Sequence, residues 1–150
     1  MRKFEVVKDE HIKYDNFDIK LPVRSTINAA GYDLFSPVDI VIPAGKVKTV
    51  WTNVKGACNP DEFIMICVRS SMGKKGISLA NDVGIVDSDY YSNTSNDGNI
   101  GVMLRNNTTE DFNISVGDKI AQAIFMKYLI ADNDNVVSNV RTGGMGSTGK

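Results

Sequence analysis

At 150 residues, with 42% hydrophobic and 23% charged residues, the chain has the size and composition of one globular domain with a substantial core. A formal net charge of -1 argues against nucleic-acid binding through a basic face. No apolar run is long enough for a membrane span or, after Met1-Arg2-Lys3, for a signal peptide. Two cysteines are too few for a disulfide framework and the single histidine, His11, offers no ligand spacing, so we expect a reducing, cytoplasmic setting with Cys67 a buried thiol.

In chain order, Phe4–Val7 and Phe17–Pro22 read as edge strands. Ala29–Phe35 follows, where Gly31 lets the backbone pass close to a neighbour and Asp33 is the only charge; Asp33 faces either water or a ligand. Val38–Trp51 alternates apolar and polar residues on both sides of Pro43-Ala44-Gly45, the pattern of a hairpin with a structural job. After Asn59-Pro60 comes the strand Glu62–Val68. Arg69–Ile77 then packs an arginine, two serines, two lysines and two glycines into nine residues. That mixture reads as a basic turn or as a phosphate-holding loop, since Arg gives planar paired donors and glycine exposes backbone N–H groups.

Val83–Tyr90 is a short apolar strand ending in Asp87, Asp89 and Tyr90. A turn-rich loop, Tyr91–Gly98, and a returning strand, Ile100–Leu104, complete what reads as a hairpin with a long loop. Alone, the acids are more at home in a solvated turn, where they favour bends. Gly117-Asp118 makes a turn before the strand Ile120–Tyr128, in which Gln122 needs hydrogen-bond partners, from the protein or a ligand. The end of the chain, about 138–150, is rich in glycine, serine and threonine and should be a mobile arm. Its G-x-G-x-x-G match lacks the leading strand and following helix that such a motif needs. Many short strands, frequent turns and no sustained helical period predict one all-β domain over 1–150 with a jelly-roll-like β-barrel core.

Five segments stand in order: Ala30–Leu34, Arg69–Gly73, Gly84–Tyr90, Gly117–Gln122 and Arg141–Gly149. Together they resemble the five motifs of the trimeric dUTPase family, from about Ala29 to the C-terminus. The resemblance implies a homotrimer of jelly-roll subunits that hydrolyses dUTP to dUMP and pyrophosphate with Mg2+, each active site drawing on all three chains. It makes Asp87 the general base that activates the water attacking the α-phosphate. Asn81 and the backbone of Val83 to Val86, Gly84 and Val86 included, and of the returning strand would read the uracil edge, and Tyr90 would pack under the deoxyribose and exclude a 2′-hydroxyl. Arg69, Ser70, Ser71 and Gly73 would hold phosphates. Asp33 and Gln122 would hold Mg2+ through waters, with Gln122 also touching substrate. Arg141, Ser147 and Thr148 would close over the γ-phosphate from the arm of a third subunit, with Met145 and Gly146 of the same arm also touching substrate.

The sequence departs from the family pattern in three places. The loop after Tyr90 is several residues longer than the usual tight hairpin, as in some bacteriophage-type members. The Arg69–Gly76 loop is about one residue short. Met145 stands where the family usually has a phenylalanine stacked on uracil, which leaves Tyr91 as another candidate cover. Two alternatives are a nucleotide-binding regulatory protein that meets a partner through Ser92–Asp97, and a dCTP deaminase. The first does not need Asp87 beside a water, and the second carries a different third motif.

Overall fold

The computed structural model describes residues 1–14, 18–136, 141 and 143–145. Among them, β1 (Lys3–Val6), β2 (Tyr32–Phe35), β3 (Ile40–Ile42), β4 (Val47–Trp51), β5 (Val54–Ala57) and β6 (Glu62–Cys67) precede a single helical turn, α1 (Ser70–Lys74). Then follow β7 (Ile77–Leu79), β8 (Gly84–Asp87), β9 (Gly101–Asn106), β10 (Phe112–Ile114) and β11 (Lys119–Lys127). No helix among these residues is long and apolar enough to cross a membrane. The fold is all-β and of the jelly-roll type.

Strands adjacent in sequence feed different sheets. One antiparallel sheet runs β2-β11-β6-β8 and a second runs β4-β9-β7, with β1-β5 and β10-β3 as separate pairs. This corrects both expected hairpins. The turn at Pro43 forms, with Lys46 N–H donating to the Pro43 carbonyl at 3.0 Å, yet β3 pairs with β10 and β4 with β9. Likewise β8 pairs with β6, whereas β9 pairs with β4 and β7. Alternating hydrophobicity marks a half-buried strand but does not name its partner.

Phe17 lies outside the described residues. Asp18–Pro22 forms no strand, and nearby Val23 makes only an isolated bridge to Asp33. The sequence reading missed β5, which pairs with β1.

The inner face of the four-stranded sheet carries Leu34, Ile64, Ile66, Val86, Ala121 and Ala123. They join Val50, Ile77, Leu79, Val102 and Leu104 in one cluster. Each fully buried Leu, Ile or Val side chain there contributes about 1.5–3 kcal/mol. The register puts the alternate residues, Phe63, Met65, Cys67, Ile85, Asp87, Gln122, Ile124 and Met126, on the other face. Ile85 is 57% exposed there. Cys67 is therefore half-buried on this outer face, not sealed in the core as expected, and is a free thiol.

Candidate active site

Among the described residues β8 ends its sheet, so one of its edges has no partner strand there. β7 reaches only Leu104–Asn106 of β9, leaving the edge at Gly101–Met103 largely open on that side. A cavity of about 240 Å³ opens between these strands, and Asn81, Gly84, Val86, Tyr90, Arg141 and Met145 all line it. Ile85 and the stretch from Ile100 to Met103 on the returning strand line it too, whereas Ile66 and Leu79, which complete its walls, were not expected and are marked only by their place in the shared core. Gly84 is required by close packing: a Cβ there would sit 2.9 Å from the Ile66 Cβ. The missing β8–β9 pairing leaves backbone N–H and C=O groups bordering a largely apolar slot.

Tyr90 closes the 3-10 turn Ser88–Tyr90 and is 5% exposed. Its hydroxyl donates to the Asn99 carbonyl at 2.9 Å and accepts from the Asn96 amide at 2.7 Å. Burial pushes the phenol up, against smaller opposing pulls from Asn96 and Arg141, so it stays neutral and able to donate. The long loop after Tyr90 folds inward around this ring. Asn93 donates to the Tyr90 carbonyl and to the Asn96 side chain, each at 2.8 Å. Asp97 is buried and takes Lys55 Nζ and the Lys8 backbone N–H, each at 2.8 Å. Burial works against ionised Asp97, but these donors outweigh it and hold its carboxyl below the ordinary value. Asn93, Asn96 and Asp97 are thus anchored inside, although Ser92 and Ser95 remain exposed. Tyr91 does not line the cavity. Its hydroxyl bonds Glu5, and its ring lies 4.9 Å from Lys55 Nζ and 5.5 Å from Lys3 Nζ.

Asp87 sits at the end of β8 with its side chain 55% exposed, bordering a neighbouring cavity with Glu62, Asp89 and Tyr128. Arg141 Nη1 lies 3.0 Å from Asp87 Oδ2 and 3.1 Å from Asp89 Oδ1. The arm residue expected on a phosphate therefore rests on its own chain's carboxylates.

The remaining expected residues gather elsewhere. Arg69 precedes α1 and places Nε 2.9 Å from Asp33 Oδ1. Asp33 Oδ2 takes Lys119 Nζ at 2.8 Å and the Ser25 hydroxyl at 2.6 Å. Burial opposes ionisation of Asp33, but Lys119, Ser25 and Arg69 together hold it below the ordinary carboxylate value. Gln122 stands opposite Asp33 in the register, and a Cβ on Gly31 would overlap its amide oxygen. Arg69, Ser71 and Lys119 line a second cavity, and Ser70 is exposed beside them.

One donor is corrected. The Gly73 N–H already donates to the Arg69 carbonyl at 3.1 Å, leaving Ser70 and Ser71 as the turn's amides without an intrahelical acceptor. Gly146, Ser147 and Thr148 lie outside the described residues.

One chain does not bring the two groups together. Gln122 is level with Cys67 of β6, whereas Asp87 is level with Phe63. At strand spacings this separates them by about 13 Å along the strands and about 10 Å across them.

A dUTPase family model matches residues 18–149. The chain is 40% identical over 151 residues to the deoxyuridine 5′-triphosphate nucleotidohydrolase of Lactococcus lactis, covering 99% of this chain and 98% of the relative. It is 37% identical over 134 residues to the enzyme of the same name from Vaccinia virus, covering 87% and 86%. Among solved structures, the dUTPase from Streptococcus mutans superposes with a TM-score of 0.77 at 34% identity, covering 87% of this chain and 98% of that one. A dUTPase mutant from phage phi11 of S. aureus, in which a structural Mg(II) ion is coordinated, shares the fold (TM-score 0.71, 18% identity, covering 92% and 97%).

Proposed function

The chain belongs to the dUTPase family and is a dUTP hydrolase, and we propose that it releases dUMP and pyrophosphate with Asp87 as general base. The observation that carries this reading is the slot between the open edges of β8 and β9, with Tyr90 in its wall and Asp87 beside it. A strand edge offers N–H and C=O groups in alternation, which complements uracil's acceptor–donor–acceptor edge. Cytosine reverses two of those positions, and each buried group left unpaired costs about 1–3 kcal/mol. The narrow slot leaves no room for thymine's methyl group, and Tyr90 beneath the sugar disfavours a 2′-hydroxyl. Exposed Asp87 takes a proton from water as that water attacks the α-phosphorus, with pyrophosphate leaving in line. Arg69, Ser70 and Ser71 hold the phosphates, and Arg141 with Met145 covers the nucleotide.

Mg2+ is part of the same reading, held through waters. Among the described residues no group of three or more His, Cys, Asp or Glu side chains could hold a metal directly. Asp33 has three of roughly four lone-pair sites occupied by Arg69, Lys119 and Ser25, leaving about one for a water. Gln122 adds an amide beside it. This donor set fits an ion that keeps its waters and takes its main ligands from substrate phosphates. When bound, the ion neutralises charge on the triphosphate.

A homotrimer with shared sites is supported by two features of the single chain. The groups around Asp87 and Arg69 lie too far apart to meet on one triphosphate. The outer sheet face carries Phe63, Met65, Ile85, Ile124 and Met126, an apolar surface suited to a second copy. The expected cytoplasmic location belongs to this proposal too.

Pyrophosphate release measured on dUTP, dTTP, dCTP and UTP tests the reading. Turnover of dUTP alone is expected. Absence of dUTP turnover contradicts the assignment, and ammonia release from dCTP would favour the deaminase alternative.

A further inference from the structure

Asp33 is buried, 4% exposed, and the side chains that hold its carboxylate come from separate stretches of the chain. Arg69 Nε takes Oδ1 at 2.9 Å, while Lys119 Nζ and the Ser25 hydroxyl both take Oδ2, at 2.8 Å and 2.6 Å. Lys119 Nζ also donates to the Ser25 hydroxyl at 2.9 Å, which closes a triangle of contacts. Ser25 thus gives its one hydroxyl proton to the carboxylate and accepts from the ammonium. Its segment is firmly built. The Asp33 N–H donates to the Val23 carbonyl at 2.8 Å, and Arg24 Nη1 donates to the carbonyls of Ile27 and Ala29 at 2.8 Å and 3.2 Å. Ser25 lies outside all five ordered segments.

A carboxylate oxygen offers about two acceptor sites. Lys119 and Ser25 fill both on Oδ2, whereas Arg69 fills one on Oδ1, so the open site lies on Oδ1. We propose that Ser25 is a positioning residue for Mg2+: by saturating Oδ2 it fixes which oxygen of Asp33 meets the ion's waters. The proposal rests on the dUTP-hydrolase reading above. Without the Ser25 hydroxyl a site opens on each oxygen, and a water can settle on either side of the carboxylate. Lys119 also loses the acceptor that steadies it against Asp33. An ion held through waters depends on the groups that aim those waters. Loss of the hydroxyl therefore weakens the ion's hold and leaves the nucleotide's own contacts with the protein in place.

Calorimetric titration of the non-hydrolysable analogue α,β-imido-dUTP, run with excess Mg2+ and again with EDTA, reads this on the full-length protein. Mg2+ should tighten binding to the parent. Ser25→Ala should shrink that tightening by about two- to ten-fold, the size of one hydrogen bond, and leave the affinity in EDTA unchanged. Ser25→Thr keeps a hydroxyl and should retain the parent's tightening, and in an Asp33→Asn background Ser25→Ala should change nothing further. Tightening in Ser25→Ala equal to the parent's, or a parent that Mg2+ does not tighten, overturns the proposal. An equal loss of affinity in EDTA overturns it too, because that marks a structural role, and so does Ser25→Thr behaving like Ser25→Ala. Lack of dUTP turnover in the parent would instead sink the activity, while the titrations still report on Ser25.

Discussion

Asn96 donates its side-chain amide to the Tyr90 hydroxyl at 2.7 Å, and its own oxygen accepts from Asn93 Nδ2 at 2.8 Å and from the Gly98 backbone at 3.0 Å. The long loop is thus a brace for the ring that lines the nucleotide slot. Asn96→Ala strands several buried polar groups at once, so it should destabilise the fold by about 1–3 kcal/mol. It should also raise KM through a loosened Tyr90. Denaturant unfolding and steady-state kinetics check both effects, and a stable variant with unchanged KM would remove the brace from the account.

Met145 lines the slot while 47% exposed, whereas Tyr91 is held away from it by Glu5, Lys3 and Lys55. A thioether against a ring contributes about 0.3–1.5 kcal/mol, and an aromatic stacked on a base about 1–3 kcal/mol. Met145→Phe should therefore raise kcat/KM by about 0.5–1.5 kcal/mol, a few-fold to ten-fold, on that difference. Tyr91→Ala should leave KM unchanged and lower stability. The two single variants, measured for kinetics and unfolding, decide which residue covers the base.

Three carboxylates set the acid limit of the fold. Hydrogen bonding to Arg2, which outweighs burial, lowers the Glu62 carboxyl from 4.5 to about 2, and Asp33 and Asp97 are also held below their ordinary values. A carboxylate depressed on folding stabilises the native state above its unfolded value, and that contribution is lost as pH falls through the folded value. Stability should accordingly decline from about pH 4.5 down to about pH 2. Glu62→Gln should lower stability at pH 7 and flatten the decline, as read from urea midpoints across that range.

Separation of the two half-sites predicts complementation between subunits. Arg69→Ala and Asp87→Asn should each be nearly inactive alone. Unfolded together and reassembled, they should regain activity, because a shared site can take an intact Arg69 from one chain and an intact Asp87 from another. Heterotrimers that form but stay inactive would count against shared sites.

Much of the site was legible because its residues sit in short ordered segments. Asn81, Gly84, Val86, Tyr90, Arg141 and Met145 do line one cavity. Strand partners were not legible. Val38–Trp51 reads as a hairpin because alternation records only which side of each strand is buried, and β3 and β4 part company after the turn. The same blindness hid the reason for the slot, which exists because β8 and β9 do not pair. Arg141 on Asp87 and Asp89 depends on where the arm lies, which no local pattern encodes. Gly73 was expected to donate to phosphate, but the helical turn that claims its N–H spans only five residues, too few for a sequence period to announce.

The most direct measurement is single-turnover pyrophosphate release from dUTP by Asp87→Asn, with nucleotide affinity measured separately on the same protein. The substitution keeps the size of the side chain and removes the base. Affinity should stay within a few-fold of the parent while turnover falls by about 10²–10⁴, the span of a placed general base. Turnover within ten-fold of the parent, at saturating dUTP, would contradict the central claim that Asp87 activates the water.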